Sequence, residues 1–328
     1  MDNLEKTILF DTSSGTRNMG DYIIVEAVEK EMAYIFNNSF TVKFATHTPV
    51  CRWVEQDLKR KTVYTYSDSA KFKFIAGTNL IASNMLKKIL NWNVTIFNYK
   101  PYKNSVLVGV GSAGKFTKVN WYTKMLYKKI LSKEFIHSTR DEKTKVFLES
   151  IGLKAVNTGC VTLWGLTEDV CKEIPVKKSE NVVCTLTDYR MDKEKDQRLI
   201  DILNKNYKQV SIWIQGAKDF EYFKSLKNTE NIKVVGYNIK QYKEFLINND
   251  VDYVGTRLHA GVYAMKHKRR AVILGVDNRL RDMSETYSLK AIERDDIERL
   301  EEIINSEFET KININFDMIS KWKSQFKI

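Results

Sequence analysis

The chain has 328 residues, of which 43% are hydrophobic and 12% aromatic, and this length predicts two domains rather than a single core. No apolar run approaches the ~20 residues that a membrane-spanning helix needs. The formal net charge is +12, from 53 Lys and Arg against 41 Asp and Glu, which favours an anionic partner.

The composition also bears on the partner and the compartment. Nucleic acid is not expected, because the basic residues are scattered and neither a zinc-finger pattern nor an aromatic RNA-binding signature occurs. The N-terminus, MDNLEKTILF, lacks the pattern of a secretory signal, so we expect a cytoplasmic protein. The charge is also compatible with peripheral contact at the inner, anionic face of the cell membrane. The four cysteines show no metal-binding spacing and are expected to be thiols.

Strand-like and helical segments alternate along most of the chain, which is typical of βαβ units and parallel sheets. The strand-like runs of the first half are KTILFDT, FTVKFAT, KFKFIAG, SVLVGVG and EFIHST. After a polar, aperiodic linker at 165–180 come NVVCTLT, VSIWIQ, IKVVGY, VDYVGT and AVILGV. The pattern predicts an α/β fold of two Rossmann-like domains, residues 1–168 and 180–313, facing each other across a cleft. A last amphipathic helix, 314–328, packs back onto the first domain or lies on a membrane, and we favour packing.

Two turns of the first domain have the composition of ligand-binding loops. The first strand is followed by DTSSGTRNMGD, which presents Asn18, Gly20 and Asp21 to a polar ligand. The motif GVGSAG, with Gly111 and Ser112, matches a dinucleotide fingerprint only literally. It closes a late strand and no helix follows at once, so we interpret it as a tight loop on the floor of the cleft rather than a nicotinamide or flavin site.

Near mid-chain, HSTRDEKTKVFLESIG contains the start and the end of a helix. Thr139 and Glu142 have the spacing of a capping box, and Gly152 is a C-terminal stop signal. This places Arg140 at the first helical position, at the mouth of the cleft. The alternative is a surface arginine paired with Asp141 or Glu142.

The segment GTRLHAGVYAMKHKRRAVILGVDNR carries the strongest candidates. Arg257 and His259 occupy a strand-to-helix turn, where helix-end amides attract anions and favour a neutral imidazole. Such a pair suits a site that binds an acid or phosphate and moves a proton. The next strand ends in Asp277, Asn278 and Arg279. The alternative is a capping histidine beside a salt-bridged arginine.

The remaining histidines have a simpler interpretation. His47, His137 and His267 are expected to serve in local hydrogen bonding rather than in catalysis.

Four ordered segments make the sequence resemble the polysaccharide pyruvyl transferase family: NMGD, STRDEKT, TGCVTLW, and above all YVGTRLHAGVYAM with AVILGVDNR. The resemblance implies a GT-B-like fold with the donor held chiefly by the C-terminal domain. It also implies transfer of the pyruvyl group of phosphoenolpyruvate onto sugar hydroxyls of a cell-surface glycan or its lipid-linked precursor, with release of phosphate. Neither a metal nor another cofactor is expected.

By motif, the family's functional residues fall on His259, Arg257 and Arg140. Together with the strand-end analysis this gives His259 and Arg140 catalytic roles, with donor binding by Arg257, Asn278 and Arg279. The acceptor is assigned to Asn18, Gly20, Asp21, Gly111 and Ser112.

Two other functions stay open. One is a GT-B glycosyltransferase that uses a nucleotide sugar, with Asp188, Asp219 or Asp277 as the ribose-binding carboxylate. The other is a non-catalytic protein that binds glycans or a lipid surface.

Overall fold

In the computed structural model the described residues are 4–46, 62–87, 91–112, 114, 116–276, 283–284 and 286–327. The chain divides into two compact units. The first comprises Met1–Thr16, Ile24–Trp164 and Asn315–Ile328, and the second comprises Arg17–Ile23 and Gly165–Ile314. Arg17–Ile23 lies within the expected range of the first domain, but the structure groups it with the second unit.

The first unit is built on parallel strands. Four of them, β1 (Lys6–Asp11), β2 (Phe40–Ala45), β3 (Phe72–Ala76) and β5 (Val106–Val108), form a sheet in the order β2-β1-β3-β5. Two parallel pairs accompany it, β4 (Asn79–Ile81) with β6 (Gly111–Ser112), and β7 (His137–Thr139) with β8 (Ala155–Asn157). All five residues of β3 are buried, as is typical of a parallel strand covered on both faces.

Helices and a shared apolar core cover this sheet. The helices are α1 (Met19–Glu31), α2 (Ala33–Phe36), α3 (Thr62–Ser69), α4 (Trp121–Ile130) and α5 (Glu142–Ser150), with 3₁₀ turns at Lys100–Tyr102 and Val161–Leu163. The buried residues of this core include Ile8, Phe10, Ile75, Trp92 and Leu107. The division between the two units falls within α1, since Met19–Ile23 belongs to the second unit.

The second unit contains one parallel sheet of six strands. They are β9 (Asn181–Thr185), β10 (Gln209–Trp213), β11 (Lys233–Gly236), β12 (Asp252–Gly255), β13 (Ala271–Gly275) and β14 (Ala291–Glu293). Their order is β11-β10-β9-β12-β13-β14, which is the Rossmann order 3-2-1-4-5-6. In such sheets the order reverses between the first and fourth strands, here β9 and β12, and ligands bind outside the carboxyl ends at that point.

The helices of the second unit connect these strands. They are α6 (Glu168–Lys172), α7 (Lys193–Asn206), α8 (Asp219–Lys224), α9 (Ile239–Asn248), α10 (Leu258–Lys266) and α11 (Leu300–Asn305), with 3₁₀ segments at Asp188–Arg190 and Arg294–Arg299. Within the described residues, no helix combines the length and the apolar character that crossing a bilayer requires.

The last helix, α12 (Phe316–Lys323), belongs to the first unit. The indole Nε1 of Trp322 donates a hydrogen bond of 2.7 Å to the carbonyl of Ile136. After the helix, the ring of Phe326 meets Phe74 edge-on with centroids 5.0 Å apart. Trp322 and Phe326 are both buried, so the apolar face of α12 is covered by protein.

Candidate functional site

The turn after β12 is held by hydrogen bonds from its neighbours. The hydroxyl of Tyr253 donates to the carbonyl of Arg257 over 2.7 Å, and the amide of Arg257 donates to Thr185 Oγ1 over 3.2 Å. A Cβ on Gly255 would lie 2.6 Å from the amide nitrogen of Thr185, so only glycine permits this approach of β12 to β9. The turn is therefore fixed at the carboxyl edge of the sheet, where the strand order reverses.

Helix α10 begins directly after this turn, and His259 is its second residue. Arg257 occupies the N-cap position, and no side chain caps the helix there. Helix N-termini without such a cap present backbone N–H groups and positive potential to an anion. The imidazole of His259 is thereby placed in the first turn, as the sequence predicts.

The guanidinium of Arg257 is bound by two carboxylates. Its Nε donates to Asp219 Oδ2 over 3.1 Å and to the carbonyl of Leu186 over 3.0 Å. Its Nη2 donates to Asp188 Oδ1 over 2.9 Å and also to Asp219 Oδ1. The side chain is only 3% exposed. The salt-bridged arginine, considered as an alternative from the sequence, is therefore what the structure shows, and its charge is compensated locally.

The same contacts bear on the nucleotide-sugar alternative. Asp188 and Asp219, two of the three carboxylates considered for ribose, are both bound to Arg257. The third, Asp277, lies outside the described residues.

The sequence analysis named Asp219 only as a possible ribose-binding carboxylate and missed its role as the buried partner of Arg257. Its carboxylate also accepts N–H bonds from Gly216 at 2.7 Å and Asp188 at 3.0 Å. Burial raises the pKa of Asp219, and Arg257 and these N–H groups act in the opposite direction. A Cβ on Gly216 would overlap the guanidinium of Arg257. The available signal was a glycine followed three residues later by an aspartate, where the chain passes from the apolar strand β10 into helix α8.

The segment Arg17–Met19 pairs with the chain that leaves β10. Met19 N donates to the carbonyl of Gln215 over 2.9 Å, and Ala217 N donates to that of Arg17 over 3.0 Å. The Asn18 amide oxygen accepts hydrogen bonds from Gln215 Nε2 at 2.8 Å and Gly20 N at 3.1 Å. Three residues assigned to the acceptor from the sequence, Asn18, Gly20 and Asp21, are thus placed in the second unit.

Gly20 and His259 lie side by side in this unit. A Cβ on Gly20 would be 3.3 Å from His259 Nδ1, 3.0 Å from Gln215 Nε2 and 3.1 Å from Asn18 Oδ1. Gln215 is 3% exposed, and its Oε1 is buried without a hydrogen-bond partner among the described residues. At the carboxyl edge of β9, β10 and β12, the imidazole of His259 and the side-chain amides of Gln215 and Asn18 therefore lie around Gly20.

Arg140 lies in the first unit, before α5. The N-cap of this helix is Asp141, whose Oδ1 accepts from Thr144 N at 2.9 Å, so the capping box predicted at Thr139 and Glu142 is wrong. With Asp141 as the N-cap, Glu142 is the first residue of the helix. Arg140 is therefore outside the helix rather than at its first position. Gly152, with φ +85°, follows the helix end as predicted.

The side chain of Arg140 is largely buried within a polar cluster. Its Nη2 donates to Asn79 Oδ1, and its Nε lies 3.5 Å from Asp141 Oδ2. A Cβ on Gly111 would be 2.7 Å from Asp141 Oδ2, so the glycine leaves room for this pair. Ser112 Oγ contacts the backbone of Gly114, donating to its carbonyl at 3.2 Å. Gly111 and Ser112 thus accompany Arg140 in the first unit, whereas Asn18, Gly20 and Asp21 accompany His259 in the second.

The other predicted residues divide into two groups. Asn278, Arg279 and His47 lie outside the described residues. His137 is buried and hydrogen-bonded to Leu107 N at 3.3 Å and to the carbonyl of Ser132 at 2.9 Å, and burial lowers its pKa to about 4. His267 Nδ1 is 2.8 Å from the carbonyl of Tyr263. Both have the structural role expected from the sequence. No group of three or more metal-ligating side chains occurs among the described residues.

The fold and the strand-end site define the class of protein first: an α/β protein of the GT-B type with parallel sheets. Residues 18–278 match the family described as polysaccharide pyruvyl transferase, and the chain belongs to that family. This confirms the resemblance seen in the sequence.

Solved structures share the fold. UDP-GlcNAc 2-epimerase from Methanocaldococcus jannaschii is similar with a TM-score of 0.55 and 13% identity, over 98% of this chain and 100% of that chain. The structure of that enzyme in complex with UDP-GlcNAc and UDP gives a TM-score of 0.50 at 13% identity, with the same coverage of 98% and 100%. At this identity the likeness shows the fold alone. A search of the curated proteins found no match.

Proposed function

We propose that this pyruvyl transferase uses phosphoenolpyruvate as donor and sugar hydroxyls of a cell-surface polysaccharide, or of its lipid-linked precursor, as acceptor, and that it releases phosphate. The observation that carries the proposal is the position of His259. It occupies the first turn of α10 at the carboxyl edge of a Rossmann-order sheet, the edge at which such sheets bind ligands.

The donor carries a carboxylate and a phosphate, so its site requires positive potential. The uncapped N-terminus of α10 provides backbone N–H groups for one of these anions. Asp188 and Asp219 compensate the positive charge of Arg257, so its attraction for the donor is reduced. We therefore assign Arg257 mainly the role of fixing the turn that bears His259. Arg140 completes the proposed set on the strength of the family motif, and Asn278 and Arg279 complete it on the strength of their place at a strand end in the sequence.

The proposed chemistry begins with a proton transfer. His259, which the bound anionic donor keeps protonated, donates a proton to the methylene carbon of the donor, which becomes a methyl group while an oxocarbenium-like centre forms at the neighbouring carbon. A sugar hydroxyl adds there and phosphate leaves with its electron pair, stabilised by Arg140. Addition of a second hydroxyl closes the ketal, and each hydroxyl gives up its proton. General acid catalysis of this kind contributes roughly 10²–10⁴-fold.

The acceptor side of the proposal rests on Gln215 and Asn18. A buried acceptor atom without a hydrogen bond costs about 1–3 kcal/mol, so the Oε1 of Gln215 calls for a donor. A sugar hydroxyl beside Gly20 would supply that donor and lie close to His259. Gln215 is thus added to the residues Asn18, Gly20 and Asp21 that the sequence assigned to the acceptor.

The test is phosphate release from phosphoenolpyruvate across a panel of glycosyl acceptors, combined with thermal-shift measurements. Phosphate release that depends on an acceptor, together with stabilisation by phosphoenolpyruvate, is expected. Stabilisation by nucleotide sugars instead, with transfer of a glycosyl group, would establish the glycosyltransferase alternative. Glycan binding without any turnover would establish a non-catalytic protein.

A further inference from the structure

The net charge of the protein is concentrated in one stretch of sequence. Residues 69–133 contain twelve lysines and no Asp, Glu or Arg, so this stretch alone has the +12 of the whole chain. The remainder contains 41 basic and 41 acidic residues and is neutral overall. The first acidic residues on either side are Asp68 and Glu134. All of the stretch lies within the first unit.

The same stretch exposes large apolar side chains. Trp121 is 77% exposed, Leu86 64%, Phe97 63% and Ile96 42%. Scattered single apolar residues on a surface are ordinary, whereas several together mark an interaction site.

Hydrogen bonds bring together the segments that carry these four side chains. Asn84 Oδ1 accepts both from Leu86 N and from Asn120 Nδ2, each at 2.9 Å, and Asn120 caps the helix that begins with Trp121. The next residue, Tyr122, has its hydroxyl 3.3 Å from Ile96 N, which precedes Phe97. We call Leu86, Ile96, Phe97 and Trp121 the apolar tip.

Exposed lysines lie close in sequence to two residues of the apolar tip. Lys87 follows Leu86, and Lys118 precedes Trp121 by three residues. On α4, Trp121, Lys124 and Lys128 are spaced i, i+3 and i+7, so they share one exposed face of the helix.

We propose that the apolar tip inserts into an anionic membrane, with the surrounding lysines on lipid phosphates. Protruding Trp, Phe and Leu side chains within a cluster of lysines match both parts of such an interface, the acyl boundary and the negative headgroups. A polyanionic glycan would use the charge alone and leave all four apolar side chains in water. A nucleic acid would stack bases on Trp121 and Phe97 but leave Leu86 and Ile96 in water. The inference concerns the first unit and does not depend on the proposed donor or on His259.

The test is flotation of the full-length protein with vesicles of phosphatidylcholine, or of phosphatidylcholine containing phosphatidylglycerol. Binding to the anionic vesicles only is expected, and it should be weakened by salt. The double variant Trp121→Ser/Phe97→Ser and the double variant Lys118→Glu/Lys124→Glu should each reduce vesicle binding about tenfold or more. Thermal melting of each variant checks the fold.

Matched controls come from the second unit. Ile247, on α9, is 54% exposed, so Ile247→Ser removes a comparable apolar side chain. Lys227→Glu/Lys240→Glu makes the same change of charge at two exposed lysines outside the stretch. Neither control should change vesicle binding by more than about twofold, since surface attraction falls off within a Debye length.

Insertion of Trp121 into the bilayer can be measured directly by tryptophan fluorescence. Trp92, Trp213 and Trp322 are fully buried, whereas Trp121 is exposed. Brominated lipids should therefore quench a component of the fluorescence that Trp121→Phe removes. Vesicle binding that is insensitive to the apolar tip, or lipid binding that is absent while heparin or single-stranded DNA binds, would overturn the proposal.

Discussion

The Nδ1 atom of His259 lies 3.3 Å from the point at which a side chain on Gly20 would begin. The glycine therefore sets the space available to the imidazole and to the neighbouring amides of Asn18 and Gln215. We predict that Gly20→Ala lowers the rate of phosphate release about tenfold, which corresponds to ~1.4 kcal/mol. The free energy of unfolding should stay within about 1 kcal/mol of wild type, because alanine is the better helix former. Steady-state kinetics and urea denaturation measure the two effects.

Gly114→Ala is the matched control. A Cβ there meets nothing within 4 Å, so activity and stability should both be retained. Full activity of Gly20→Ala would show that the space beside His259 is not needed for turnover.

His259→Ala tests the proposed proton donor. We expect phosphate release to fall by roughly 10²–10⁴-fold, the usual contribution of a general acid, with an unchanged circular dichroism spectrum. His267→Ala changes a histidine at the other end of α10, where its Nδ1 lies 2.8 Å from the carbonyl of Tyr263. This variant should retain activity. Normal turnover by His259→Ala would remove the residue from the mechanism.

The pairing of Arg257 with Asp219 predicts a large effect on stability. Asp219→Ala leaves a buried guanidinium without its main partner, and breaking a buried pair in this way costs about 3–5 kcal/mol. Asp188 is 23% exposed, so Asp188→Ala should cost less, about 1 kcal/mol. Urea denaturation compares the two variants. Equal losses of unfolding free energy in the two variants would contradict the conclusion that Asp219 is the main partner of Arg257.

His137 should make the protein sensitive to acid. Its pKa is lowered by burial from 6.5 to about 4, so between these values the unfolded chain binds more protons than the folded one. The stability that a neutral His137 provides is therefore complete above pH 6.5 and is lost as the pH falls toward 4, by about 3 kcal/mol in total. The difference in the unfolding free energy between pH 7 and pH 4.5 should shrink in His137→Asn. In the wild type, an NMR titration of His137 with a pKa close to 6.5 would refute the prediction independently of any variant.

The fold was accessible from sequence because its signals are local. Runs such as NVVCTLT and AVILGV are rich in apolar and β-branched residues, as is typical of buried parallel strands, and both contain strands of the second sheet. The turn that carries Arg257 and His259 was found for the same reason, since it directly follows an apolar strand. The capping of α5 was mispredicted because Thr139 and Asp141, two residues apart, both offer side-chain oxygen atoms near the helix start. The sequence alone does not show which of them precedes the first helical residue.

The side chains that surround Arg257 and His259 could not be predicted from local sequence. Asp219 is 38 positions from Arg257, and no spacing rule connects an arginine to a buried carboxylate at the end of another strand. Gln215 had no signal beyond its place after an apolar run, and it meets Asn18 across 197 residues of sequence.

By itself, the sequence determined the family, the alternation of strands and helices, and the strand ends at which chemistry is placed. Each of these depends on residues that lie close together along the chain. The tertiary structure decided which charges cancel, which acceptor residues share a unit with His259 and which oxygen is left unsatisfied. Those properties arise only when β9, β10 and β12 bring distant side chains to one edge, where burial makes every unpaired polar atom energetically significant.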